Sequence, residues 1–197
     1  MSNDTDKIKQ LREKTFAGII DCKRALTEAG GDIKKAIEIL RKKGIALAGR
    51  KATRVTKEGI IASYIHSNDK IGVLIEVNCE TDFVARNDLF KNFVKDLTMQ
   101  VAASNPLYID KKDIPKEVVD KEIDIIKEQH KDKPAKVMDK IIEGNLDKFY
   151  SEVCFLHQPF IKDPSVTIKD LLTQIIAKTG ENIAVRRFTR YQLGEET

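Results

Sequence analysis

Three kinds of side chain in this 197-residue sequence are of types that do chemistry: three cysteines, three histidines, and an acid beside an aromatic in the run Val77-Asn78-Cys79-Glu80-Thr81-Asp82-Phe83-Val84-Ala85-Arg86-Asn87. Cys22, Cys79 and Cys154 form an odd set with no CxxC spacing. Each lies in an apolar stretch, which fits reduced structural thiols of a cytosol better than a metal site. His66, His130 and His157 are far apart and form no ligand signature, so no metal or cofactor is expected. The chain has no phosphate-cradling glycine loop, no nucleophile elbow and no HExxH, so an enzyme or nucleotide-binding reading finds no support. What remains is the chemistry of contact. The 77–87 run follows an apolar strand pattern and precedes a helical one, which sets Asp82 and Phe83 on a strand-to-helix turn, a stiff mount. A Phe there either packs inward like Phe90 and Phe93 of the next helix or stands out as a wedge. Asp82 either caps the following turn or brings negative charge to the same place, and the two roles are compatible.

The elements that must hold this corner follow from hydrophobic period. Between about Thr5 and Lys43 the sequence predicts three short helices: one begun by Ile8, Leu11 and Arg12, one from Gly18 to Ala29, and one capped by Asp32 and carrying Ile33, Ala36, Ile37 and Leu40. Gly30-Gly31 breaks the last two apart. Gly59–His66 and Ile71–Cys79 read as strands joined by the polar loop Ser67–Lys70, with Ile61, Ser63 and Ile65 on one face. Asp88 is placed to cap a helix carrying Phe90, Phe93, Val94, Leu97 and Val101, which Asn105-Pro106 stops. Pro115 and Pro134 open two more helices, an antiparallel hairpin joined near His130 to Lys133. Leu146 to Leu156 is expected as a short buried helix and Gln158 to Asp163 as loop. A capping pattern at Thr167-Ile168-Lys169-Asp170 opens a helix that ends at Gly180, and Ile183 to Leu193 is a final strand. The fold class is α+β: three N-terminal helices, then a small antiparallel sheet covered by helices, with a helical hairpin.

Composition narrows the setting. With 41% hydrophobic and 34% charged residues, and no apolar run of the ~18 residues a membrane span needs, the chain reads as globular and free of membrane. Its acidic, polar start does not resemble a secretory signal, so a cytoplasmic location is expected. Net charge is only +4, yet Arg41, Lys42, Lys43, Arg50, Lys51, Arg54 and Lys57 form a run without an acid. That run suits a linker or an acidic partner better than RNA, because it offers no aromatic for base stacking. The division expected is residues 1–44 as a helical domain, 45–58 as a basic linker and 59–197 as an α+β core.

The Thr81-to-Asn87 run resembles the TDFVA(R/K)N signature of the elongation factor Ts family, the bacterial guanine-nucleotide exchange factors for elongation factor Tu. Further resemblances recur in order at Leu11-Arg12-Glu13-Lys14-Thr15, Asp21–Ile33, Val101–Pro106, Gln158-Pro159-Phe160 and Gly180–Phe188. The resemblance implies a ubiquitin-associated-like N-terminal fold. It implies that Phe83 wedges between two helices of elongation factor Tu with Asp82 beside its magnesium site, while Thr81 and Val84 frame the corner. It implies that Lys23 faces the GTPase domain, and that Gln100 occupies a position near a partner-contacting helix where many relatives carry His. Longer relatives have two similar core halves, whereas this chain reads as one merged core, so a homodimer is expected. The competing class is a ubiquitin-associated adaptor or a basic RNA-binding accessory module. Against the adaptor stands Thr15-Phe16-Ala17-Gly18, where ubiquitin binders present Met-Gly-Phe. On the last strand, Arg186, Arg187 and Arg190 are read as solvated edge residues before partner contacts.

Overall fold

The structure is a computed structural model that describes residues 2–15 and 17–195. Phe16, central to the loop just compared with ubiquitin binders, lies outside the described residues. In chain order the elements are α1 (Ser2–Thr15), α2 (Ile19–Glu28), α3 (Ile33–Lys51), β1 (Glu58–Ile65), β2 (Ile71–Cys79), α4 (Asp82–Arg86) and α5 (Asp88–Ser104). There follow α6 (Lys116–Gln129), α7 (Ala135–Val153), β3 (Pro159–Phe160), β4 (Asp163–Thr167), α8 (Ile168–Thr179) and β5 (Ile183–Gln192). The hairpin strands and the closing strand form one sheet in the order β1-β2-β5, so the expected α+β class holds. The chain divides into two compact units. One comprises residues 1–62, 75–95 and 170–186, the other residues 63–74, 96–169 and 187–197.

In the first unit, α1, α2 and α3 close around Leu11, Cys22, Ala25, Leu26, Ala36 and Leu40. Two turn devices set this packing. Gly30 and Gly31 take positive φ of 60° and 84°, and their N–H groups donate to Thr27 and Leu26, which ends α2 with glycine where a Cβ would strain. Asp32 then accepts from the N–H groups of Lys34 and Lys35 and starts α3. The helix does not stop where the basic segment was expected to become a linker. It runs through Gly44 and Gly49 to Lys51, because its second half lies alongside α8. Arg41 pairs with Asp170 at 2.7 Å, a Cβ at Gly44 would sit 3.6 Å from Thr173 Cγ2, and the Lys51 ammonium donates to the Gly180 carbonyl. Glycine weakens a helix by only about 1 kcal/mol, so such contacts decide. Gly59 answers a different need: a Cβ there would lie 2.2 Å from the Val77 carbonyl oxygen, so β1 approaches β2 only as glycine. On β1 the residues Ile61, Ser63 and Ile65 do share a face, and it is open to solvent.

In the second unit α6 and α7 pack as the expected helical hairpin. The boundaries differ. The Leu146–Leu156 segment is not a separate helix; α7 runs unbroken to Val153, and one 3-10 turn, Phe155–His157, follows. Pro115 and Pro134 stand as the caps just before their helices. The segment expected as loop holds β3, paired antiparallel to β4 with Pro159 opposite Thr167 and Phe160 opposite Asp163. A two-residue strand has no period to read, which is why pattern alone missed it. Asn105, at φ 43°, ends α5 as anticipated. Among the described residues, no helix is long and apolar enough to cross a membrane.

Candidate functional site

The turn that follows β2 is made by α4, a helix of five residues. Thr81 caps it from an extended conformation: its hydroxyl oxygen accepts from the Val84 N–H at 3.4 Å and its carbonyl from the Ala85 N–H at 3.3 Å. Asn87 serves both neighbours. Its N–H donates to the Val84 carbonyl and closes α4, while its Oδ1 accepts from the Leu89 N–H at 2.9 Å and opens α5, the capping task expected of Asp88. Helical phase over so short a piece turns Val84 and Ala85 inward, where both are buried, and leaves Asp82, Phe83 and Arg86 outside. Phe83 is 78% exposed, against 0% for Phe90 and 6% for Phe93. The ring therefore stands in water and adds nothing to the core that Phe90 and Phe93 build. Beside it, the Asp82 carboxylate pairs with Arg86 at 2.9 Å. The pair lies in solvent, so it contributes at most about 0.5 kcal/mol and is readily exchanged for another partner.

Two carboxylates fasten the base of this corner. Glu181 Oε2 accepts from the backbone N–H groups of Glu80 and Thr81, both at 3.1 Å, and Glu181 Oε1 accepts from the Thr81 hydroxyl at 2.6 Å. In return, Glu80 Oε1 accepts from the Asn182 N–H at 2.6 Å, and its other oxygen meets Arg54 at 3.4 Å. The Asn182 N–H, with the Arg54 guanidinium, holds the Glu80 carboxyl below its ordinary value. The Asn182 side chain donates to the carbonyl of Arg54 at 2.8 Å, so the segment leaving α3 is tied in as well. Underneath, the Cys79 thiol donates to the Thr81 carbonyl at 3.1 Å. Burial, then the Glu181 charge, pushes that thiol up to about 11, which keeps it protonated and a donor. Sequence reading missed Arg54, Glu80, Glu181 and Asn182 as parts of the site. The signal available was that Cys79-Glu80-Thr81 and Gly180-Glu181-Asn182 both carry acids at element ends, although nothing in the sequence said that the two meet.

The remaining candidates scatter. Lys23 is exposed on α2, open to a partner. Gln100 is fully buried, at the centre of a hydrogen-bond network. Its Oε1 accepts from the Ile161 N–H at 2.9 Å, and its Nε2 faces the Ser104 hydroxyl, Gln158 Oε1 and the Pro159 carbonyl. Gln158, also buried, donates to the carbonyls of Ser104 and Glu152. This network explains why a carboxamide stands at position 100 and what the Gln158-Pro159-Phe160 run does: together they hold β3 in place. In the basic run Arg41 pairs with Asp170, Lys43 with Glu28 and Arg54 with Glu80, and the Lys51 ammonium donates to the Gly180 carbonyl, all at the surface. Arg190 points inward to the Ala102 carbonyl and to Glu195. Among the described residues no three His, Cys, Asp or Glu side chains gather as a cation site.

The family model described as elongation factor TS matches residues 3–195, a span that takes in α4 and both carboxylates beneath it. The chain belongs to the elongation factor Ts family. Among its relatives, an elongation factor Ts of Thermodesulfovibrio yellowstonii is 58% identical over 99% of this chain and 98% of its own length. One of Thermotoga neapolitana is 57% identical over the full length of both, and one of Carboxydothermus hydrogenoformans is 57% identical over 95% of this chain and 88% of its own. Membership sets the chain among the elongation factors of protein biosynthesis.

Proposed function

We propose that the chain is a cytoplasmic guanine-nucleotide exchange factor for elongation factor Tu, acting through contact and without covalent chemistry. A GTPase holds GDP through Mg²⁺ that bridges phosphate oxygens and through backbone amides around the phosphates. A protein that binds the nucleotide-free form more tightly than the GDP-bound form shifts that equilibrium by its differential affinity, and GDP lowers its affinity by the same factor. In this reading the Phe83 ring enters between two helices of elongation factor Tu while Asp82 approaches the magnesium site. Thr81 and Val84 hold the corner between cap and core, and Lys23 meets the GTPase domain from the N-terminal helices.

The observation that carries this reading is the Phe83 ring, 78% exposed on a capped helix whose Val84 and Ala85 are buried. Burying such a ring in a partner contributes roughly 1.5–3 kcal/mol, available only to the form of the partner that has opened to receive it. Arg41, Lys43 and Arg54 already pair with carboxylates of this chain, and the basic run carries no aromatic for base stacking, which favours this over an RNA-binding module. Release of labelled GDP from purified elongation factor Tu tests it. The wild-type chain accelerates release, and Phe83→Ala loses about tenfold or more of that acceleration. Equal acceleration by both would refute the wedge. Absence of acceleration, with RNA binding that falls steeply with salt, would favour the accessory module.

A further inference from the structure

We infer that Glu181 is a positioning residue for exchange: from the loop before β5 its carboxylate sets the cap that aims Phe83 outward, an inference that rests on the exchange reading above. Three donors converge on it. The N–H groups of Glu80 and Thr81 stand where β2 has ended and α4 has not begun, so neither ladder nor helix supplies an acceptor. Glu181 Oε2 accepts both at 3.1 Å. The third donor is the Thr81 hydroxyl, whose hydrogen is committed to Glu181 Oε1 at 2.6 Å. That commitment leaves the hydroxyl oxygen to accept from the Val84 N–H, the bond that caps α4. The order of dependence runs from carboxylate to hydroxyl, to helix start, to the outward phase of Phe83.

A local turn could not do this, because the acid is 100 residues away from Thr81 in the chain. The lock is also reciprocal. Glu80 accepts from the Asn182 N–H, so each segment hands a carboxylate to the other's backbone. Asn182 holds the Arg54 carbonyl, so the chain leaving α3 is fixed at the same point. With Glu181 removed, two backbone donors and the hydroxyl lose their acceptor together, and alternative conformations of residues 80–84 gain population at the expense of the one that presents the ring. Glutamine at 181 retains an oxygen for the two N–H groups and turns an NH₂ toward the Thr81 oxygen, so it preserves most of the lock.

The experiment compares the full-length wild type with Glu181→Ala, Glu181→Gln, Thr81→Val and Phe83→Ala, reading two quantities on each. The first is hydrogen exchange of the Glu80, Thr81 and Val84 amides by NMR. The second is the maximal rate of labelled GDP release from elongation factor Tu at saturating factor. Glu181→Ala is expected to speed exchange of those amides about tenfold and to lower the maximal release rate about tenfold, with less effect on the half-saturating concentration. Glu181→Gln restores most of both, and Thr81→Val frees Val84 while leaving the Glu80 amide protected. If Glu181→Ala does not fold, the Gln and Val variants carry the comparison by the same two readouts. Unchanged amide protection in Glu181→Ala, a Val84 amide still protected in Thr81→Val, or freed amides with release still at the wild-type rate, overturns the inference. Failure of the exchange reading is seen separately: Phe83→Ala then behaves as wild type, and the positioning role falls with it.

Discussion

Phe83, Phe90 and Phe93 carry the same side chain, yet the first stands in solvent while the others are sealed, and the difference is one of helical phase. The cap at Thr81 starts α4 so that Val84 and Ala85 face inward, and the restart at Asn87 resets the phase for α5. Sequence could name both outcomes for Phe83 but could not choose, because the phase depends on caps that a distant carboxylate holds. Gln100 teaches the converse. It was legible as a hydrogen-bonding residue on α5, but its neighbours Gln158, Pro159 and Ile161 come from far along the chain, so its burial was not. Gln100→Leu keeps the volume and strands the Ile161 N–H and the Pro159 carbonyl without their partner. It is expected to cost about 3 kcal/mol in urea unfolding. Gln100→His, which keeps one donor and one acceptor, is expected to cost less than half of that. Equal losses for the two would show that volume, not polarity, governs the site.

At the scale of elements, the helices and the three-stranded sheet were legible because their periods are long and their caps are local: Asp32 for α3, Gly30-Gly31 for the end of α2, Gly180 for the end of α8. What escaped were features decided by contacts between elements. The basic stretch with Gly44 and Gly49 reads as a linker on composition, but its alignment with α8 keeps it helical to Lys51. Two glycines therefore make opposite predictions. A Cβ at Gly49 would meet nothing within 4 Å, so Gly49→Ala gains helix propensity and raises stability by roughly 0.5 kcal/mol, a shift of about 1–2 °C in the thermal midpoint. Gly59 has φ 149° and a carbonyl oxygen where the Cβ would stand, so Gly59→Ala lowers the midpoint by more than Gly49→Ala raises it. A loss on Gly49→Ala would mean that the segment is not helical in solution.

For the molecule as a whole, the perturbed carboxylates share one sign, and that fixes how stability must follow pH. Asp32, held by the N–H groups of Lys35 and Lys34, lies below its ordinary value. So do Glu80, through the Asn182 N–H, and Asp163, through the Ser165 hydroxyl and N–H. Burial would raise Asp110, but hydrogen bonds from His157 and the Lys111 N–H outweigh it and leave that carboxyl lowered too. In each case the unfolded chain binds a proton more readily than the folded one, so stability rises with pH across the titration. Their contribution is therefore complete above the unfolded values, near pH 4–4.5, and is lost as pH falls through the folded ones. Urea midpoints are expected to hold level from pH 7 to 5 as far as these groups act, and to fall steadily from about pH 4.5 downward. Asp110→Asn and Asp32→Asn should each lower the midpoint at pH 7 and flatten the fall on the acid side, because each removes one group whose protonation opposes folding. Because Glu80 belongs to the same set and fastens the corner, the protection of the Asn182 amide against hydrogen exchange, taken relative to the intrinsic rate at each pH, should fall in that acid window ahead of global unfolding. A midpoint that rises as pH drops from 4.5 to 3, or an Asn182 amide that opens only with the whole chain, would contradict this electrostatic account.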